Sequence, residues 1–228
     1  MSKGELAPTP AAGKRQHTKD KLKAAARALF ARYGIEGVTV REILVAAGEK
    51  NGASLNYHFG KKEELVKRIA VDIFGLLDQA WDAGLKELDE RRQTASIRDL
   101  IALIVNASAI LDQGSERTSL RLIDRLSQER QHLLSAIAAE YGHSSYRSIM
   151  LRIAALQPDI PAAVMAHRAI FLTRYLSTIM AMYEEAQTSE DAIRRRLVGP
   201  VHDLGNVIDT AVGIVSAPIV DGGQVPGR

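Results

Sequence analysis

Apolar residues recur at helical spacing through most of the chain. From Thr18, residues Leu22, Ala25, Ala26, Leu29 and Phe30 share one helical face. Tyr33-Gly34-Ile35 then reads as a helix end at a left-handed glycine, followed by an apolar residue that folds back. Thr39-Val40-Arg41-Glu42 has the form of a capping box, so a second, short helix is expected from Thr39 with Ile43, Leu44 and Ala47 inward and an end near Gly48. Asn51 suits the N-cap of a third short helix through Ser54, Leu55 and Tyr57, which Gly60 can end. From Lys62 a long helix carries Leu65, Ile69, Ile73, Leu76, Leu77, Ala80 and Trp81 on one face, with Glu63 and Glu64 in the first turn where the helix dipole favours them.

Further helical segments are expected at Ser96 to Leu111, Glu116 to Tyr141, Ser144 to Leu156, Ala162 to Ala186 and Val201 to Val215, with a short one near Ser189 to Leu197. Breaks fall at Gly114, Gly142, Pro158, Pro161 and Gly199-Pro200. No strand-like alternation and no fixed-period repeat is evident, so the fold class is all-α. Residues 1–17 are rich in Pro, Ala, Gly and Lys without periodicity and read as a flexible basic arm, and the tail 217–228 as disordered.

Charge changes this picture more than composition does. The formal net charge is only +3, yet residues 1–70 carry 14 Lys/Arg against 7 Asp/Glu, and the remainder 16 against 20. A basic N-terminal module on an acidic body points to nucleic acid at one end. Cysteine is absent, which excludes disulfides, thiolate metal sites and a cysteine nucleophile and suits a reducing compartment. The N-terminus lacks the apolar run of a signal peptide, and Ile101 to Leu111 is about half a membrane span and includes Asn106 and Ser108, so a cytoplasmic protein without membrane partners is expected.

Helix, tight turn and short helix is the arrangement that sets a recognition helix into a DNA major groove. Asn51, Ser54, Asn56, Tyr57 and His58 place polar groups on the third helix, whereas Leu55 and Phe59, four apart, can anchor it beneath. Gly52 and Ala53 leave room for backbone amides to approach a phosphate, and Arg41 and Lys50 flank the turn. Lys14, Arg15, Lys19, Lys21 and Lys23 form a basic stretch ahead of it that can follow phosphates.

These residues together resemble a known family. The run Ala25-Ala26-Arg27-Ala28-Leu29-Phe30-Ala31-Arg32-Tyr33-Gly34, then Gly37-Val38-Thr39-Val40-Arg41-Glu42-Ile43, Ala46-Ala47-Gly48, Leu55-Asn56-Tyr57-His58-Phe59 and Lys62-Glu63-Glu64-Leu65 is similar to the DNA-binding domain of TetR-family repressors. The resemblance implies an N-terminal three-helix helix-turn-helix domain and a larger C-terminal helical domain for effector binding and dimerisation. The corresponding boundaries are 18–64 and 65–216. It implies a homodimer through the last two long helices, about 162–186 and 201–215, that binds double-stranded operator DNA and an unidentified small-molecule effector. By position, Thr39 caps the second helix and touches phosphate, Asn51 caps the recognition helix, Ser54 faces bases, and Tyr57, His58 and Lys62 hold the DNA backbone. Two departures stand out: Gly48-Glu49-Lys50-Asn51 is one residue longer than the common turn, and Asn56 replaces a usual aromatic.

In the C-terminal part the helix from Ala162 carries His167, Arg168, Phe171, Arg174, Tyr175 and Met180, a mix that can line a pocket and orient an acidic ligand through an arginine. Trp81, Met150, Phe171, Arg174 and Tyr175 are the effector-binding candidates. His132, His143, His167 and His202 lack metal-ligand spacing, and no metal or other cofactor is expected. No phosphate loop, nucleophile elbow or Glu-x-x-His pair appears, so catalysis has no residue-level support. The reading is a sequence-specific DNA-binding regulator, a repressor whose operator binding is controlled by a small-molecule effector; the alternatives are a sequence-tolerant DNA-binding protein without effector and a helical ligand carrier or enzyme.

Overall fold

A computed structural model describes residues 10–91, 94–108, 111, 117–140, 145–193, 195 and 204–219. The described residues contain helices and no strands. Three helices form an N-terminal head: α1 (Pro10–Tyr33), α2 (Val40–Ala46) and α3 (Ser54–Phe59). A 29-residue helix, α4 (Lys62–Glu90), leads into a body of α5 (Ile97–Ala107), α6 (Ser119–Glu129), α7 (Gln131–Glu140), α8 (Ser145–Ala155), α9 (Ala162–Thr188) and α10 (Gly205–Ser216). The end of the tail, 220–228, and residues 1–9 of the arm lie outside the described residues, as does part of the expected Ser189 to Leu197 helix.

The apolar face of each helix meets another, as amphipathic helices require. Leu22, Ala26 and Phe30 of α1 pack with Ile35, Val38, Ile43, Leu44, Leu55 and Leu65 beneath the head, all buried. The same cluster runs along α4 through Ile69, Ile73, Leu77, Trp81 and Leu85 into the body. There α6 and α10 both pack on α9, α10 also meets α5, and α4 lies against α5, α7 and α8. Arg168, buried on α9, donates to the Val215 carbonyl at 2.9 Å and the Ala217 carbonyl at 2.5 Å, so it closes the C-terminal end of α10 instead of lining a pocket.

Three local expectations change. First, residues 10–17 are helical: proline opens the helix where its missing N–H costs nothing, and Ala, Lys, Arg and Gln favour helix without packing. Residues 13–17 are exposed, so apolar spacing carried no signal of this. Second, α3 starts at Ser54, with Ala53 as its cap residue; the Asn51 carboxamide oxygen accepts from the Ala53 amide at 3.0 Å, forming a turn just ahead of the helix. Third, the segment Glu116 to Tyr141 is two helices, broken at Arg130, whose backbone leaves the helical region (φ −139°, ψ 47°). Neither glycine nor proline marks that break. Tertiary contacts hold it: Glu129 reaches the head's Ile35 amide at 2.8 Å and Glu36 amide at 3.3 Å, and Arg130 pairs with Glu36.

Candidate nucleic-acid interface and ligand cavity

The turn between α1 and α2 places Thr39 where its hydroxyl accepts from the Glu42 amide at 3.3 Å, while the Glu42 carboxylate accepts from the Thr39 amide at 2.7 Å and hydroxyl at 2.8 Å. These bonds from Thr39 hold the Glu42 carboxyl below its usual pKa. At the far end of α2 the Gly48 amide donates to Val45 and the Glu49 amide to Leu44, a double closure that needs the left-handed φ of 67° at Gly48. The chain thus leaves α2 in a fixed direction and enters α3 across a short turn.

Leu55, 1% exposed, anchors α3 to the head core, with Phe59 half-buried beside it. Opposite them Ala53, Asn56, Tyr57 and Gly60 are exposed at the i, i+3, i+4, i+7 spacing of one helical face. The Tyr57 ring is 67% exposed and holds His58 edge-on, centroids 4.9 Å apart. Lys50, Asn51 and Gly52 are exposed in the turn ahead, and Thr39 and Arg41 at the start of α2. Donors and acceptors therefore stand proud of an apolar footing, which is what reading a groove requires.

Two candidates point elsewhere. Ser54 is buried, and its hydroxyl donates to the Glu49 carboxylate at 3.2 Å, because the late helix start turns this position toward α2; it does not face outward with Asn56 and Tyr57. Lys62 is half-buried, and its ammonium donates to the Ile35 carbonyl at 2.7 Å and the Val38 carbonyl at 2.9 Å, closing the turn after α1. Its neighbour Lys61, which the motif reading passed over, is exposed. Only the tertiary position of the two carbonyls distinguishes these adjacent lysines.

In the body a cavity of about 520 Å³ lies among five helices. Phe74, Asp78 and Trp81 of α4, Ile123 and Ser127 of α6, and Tyr146, Thr173 and Arg174 of α8 and α9 form its walls. The Trp81 and Tyr146 rings stand 5.4 Å apart between centroids, and burial pushes the Tyr146 hydroxyl's pKa up. Of the effector candidates, Trp81 and Arg174 line this cavity. Phe171 does not, being 61% exposed on the outer side of α9, and Met150 and Tyr175 pack against the core instead. Arg174 is also less available than the sequence suggests, since its Nη1 donates to the Ser127 carbonyl at 2.9 Å. Ser127, Tyr146 and Thr173, absent from the sequence-based set, are common residue types whose convergence exists only in the folded body.

Helix α6 ties cavity and head together. Its first amides, Leu120 and Arg121, donate to the buried Glu184 carboxylate of α9 at 3.0 and 2.7 Å. Near the same end Ser119 accepts from Arg27 of α1 at 3.2 Å, and at the other end Glu129 holds the Ile35 and Glu36 amides. Gly34 lies under that carboxylate with φ 80°; a Cβ there would come within 2.8 Å of Glu129 Oε1. Among the described residues no group of three or more His, Cys, Asp or Glu could hold a metal ion, and no helix is long and apolar enough to cross a membrane.

Comparison with known proteins agrees with the head's geometry. Residues 22–69 match the profile of bacterial regulatory proteins, tetR family. The structure is similar to a crystal structure assigned to the TetR family of transcriptional regulators from Mesorhizobium loti, at 18% identity and a TM-score of 0.52, over 90% of this chain and 96% of that one. It also aligns with a γ-butyrolactone receptor described as ArpA-like, at 23% identity, TM-score 0.47, covering 88% of this chain and 98% of that one. A Rhodococcus regulator assigned to the same family aligns at 16% identity, TM-score 0.47, over 86% of this chain and 99% of that one. No curated protein sequence matches the chain.

Proposed function

We propose that this chain, whose residues 22–69 match the profile of the tetR family of bacterial regulatory proteins, is a cytoplasmic, dimeric transcriptional repressor whose hold on an operator is controlled by a small molecule in the body cavity. The observation that carries the reading is the exposed face of α3, where Asn56 and Tyr57 stand over the buried anchor Leu55 between Lys50 and Lys61. The DNA-contact set is Thr39, Arg41, Lys50, Asn51, Gly52, Asn56, Tyr57, His58 and Lys61. Residues 18–64 act as the DNA-binding unit and 65–216 as the effector and dimer unit.

A six-residue helix reads few base pairs, so discrimination calls for two copies on a two-fold operator. Exposed Phe171 and Met182 on α9 support pairing through α9 and α10. Ligand control is supported by the cavity's walls, because α4 and α6 both line it and both reach the head. A ligand switches the protein only to the extent that it prefers one head arrangement over another.

The test is selection of bound duplexes from a random pool at near-physiological salt, with wild type and Tyr57→Ala in parallel. An enriched inverted repeat that the variant fails to select is the expected result. Enrichment that survives Tyr57→Ala rejects α3 as the reading element. No enrichment at all, with tight salt-sensitive binding, would identify a DNA-coating protein.

A further inference from the structure

The body grips the head twice on one short segment, 35–38. From one side Lys62 of α4 donates to the Ile35 and Val38 carbonyls at 2.7 and 2.9 Å. From the other, Glu129 of α6 accepts from the Ile35 and Glu36 amides at 2.8 and 3.3 Å, and Arg130 pairs with Glu36. Glycine at position 34 leaves room for this second grip, since a Cβ there would stand 2.8 Å from Glu129 Oε1.

The second grip sits on a joint in the cavity wall. Arg130 breaks the helix between α6 and α7, and cavity residues stand on both sides of the break: Ile123 and Ser127 on α6, Gln131 and Leu134 on α7. Ser127 and Gln131 directly flank the stretch that carries Glu129 and Arg130. Phe74, Asp78 and Trp81 in the same cavity belong to α4, which begins at Lys62. The cavity walls therefore lead to both grips. At its start α6 is fastened by the Leu120 and Arg121 amides to the buried Glu184 carboxylate of α9, which leaves a change of angle between α6 and α7 to the joint.

We infer that the α6–α7 joint is where cavity occupancy is sensed: an occupant that shifts the joint relative to α4 moves Glu129 and Arg130 against Lys62 and rotates the head about segment 35–38. The inference rests on the reading of this cavity as the effector site. A single grip can only carry the head along, whereas two grips on one segment rotate it when they part. The occupant acts to the extent that it favours one relative position of the grips over the other.

The experiment uses the full chain and fills the cavity by substitution. Ala169→Phe and Ser177→Phe each add a ring to its wall from α9 and leave both grips unaltered. Each is expected to weaken binding to the selected operator duplex about tenfold, and to speed hydrogen exchange at the Ile35 and Glu36 amides by a similar factor. Glu129→Ala deletes the acceptor and should cut the effect of either filler on operator binding to about twofold or less. Glu129→Gln keeps an acceptor oxygen and should retain most of that effect. Fillers that weaken operator binding equally in wild type and Glu129→Ala overturn the inference and keep effector control. Weakened binding with unchanged exchange at the two amides does the same, and that measurement stands even where Glu129→Ala lowers operator affinity by itself. Faster exchange with unchanged operator binding supports the joint as the sensing point and rejects effector control. Fillers that alter neither quantity reject the cavity as the effector site, and the inference with it.

Discussion

Head and body commit their polar side chains in opposite directions. In the head, the side chains of Glu42, Ser54 and Lys62 are turned back onto the protein, while Thr39, Arg41, Lys50, Asn51, Asn56, Tyr57 and Lys61 are exposed. In the body the hydroxyls of Ser127, Thr173 and Ser177 also donate to the backbone, but they line a cavity that opens to solvent at Ile170 and Thr173. The same chemistry produces a projecting surface in one place and a recessed wall in the other. Residue type alone therefore says little about which groups meet a partner.

The contrast breaks most severely at Leu55. Truncation to alanine removes the buried anchor of α3 and is expected to cost about 2–5 kcal/mol in the head. Chemical denaturation should show the loss, and DNA binding should vanish while the native fluorescence of Trp81 in the body is unchanged. A sharper test compares the two lysines. Lys62→Met leaves the Ile35 and Val38 carbonyls without their donor and should destabilise by about 1–3 kcal/mol, without changing the salt dependence of DNA binding. Lys61→Ala should do the converse, lowering the slope of log affinity against log salt by about one per protomer at unchanged denaturation midpoint.

The smallest expected effect lies in the cap of α2. Thr39→Ala should cost about 1 kcal/mol, seen as a lower midpoint in thermal unfolding. Glu42 adds a pH signature. Because its folded pKa is depressed, its contribution is present above the ordinary glutamate value and is lost as pH falls through the lowered one. Wild type and Thr39→Ala should therefore converge in stability on acidification.

What was legible in the sequence was local. The capping box at Thr39, the glycine turns at Gly34, Gly48 and Gly60, and the anchor Leu55 are fixed by neighbours within a few residues, and the structure has them all. Asn56 and Tyr57 were legible as an outward pair because Leu55 fixes the helix phase. What was not legible depended on contacts far along the chain. The break at Arg130 answers to Glu36, about ninety residues earlier, whereas Ser54 was misplaced for a local reason: the helix starts at Ser54 and not after an Asn51 cap, and the hydroxyl turns to Glu49. The cavity could not be assembled from one helix, since its polar atoms come from α4, α6, α8 and α9 and each is unremarkable in its own segment.

Lys62 is also the first residue of α4, and its grip on two carbonyls gives that helix a clamped end, not a hinged one. Mechanically α4 is a beam. Phe74 meets the cavity about 18 Å along the axis from the clamp, so a load applied there acts with leverage. In the regulator proposed above, a load at the cavity would reach α1, α2 and α3 through this clamp. In the proposed dimer the spacing between two recognition helices would then be an angular quantity, set by the slope of one rod.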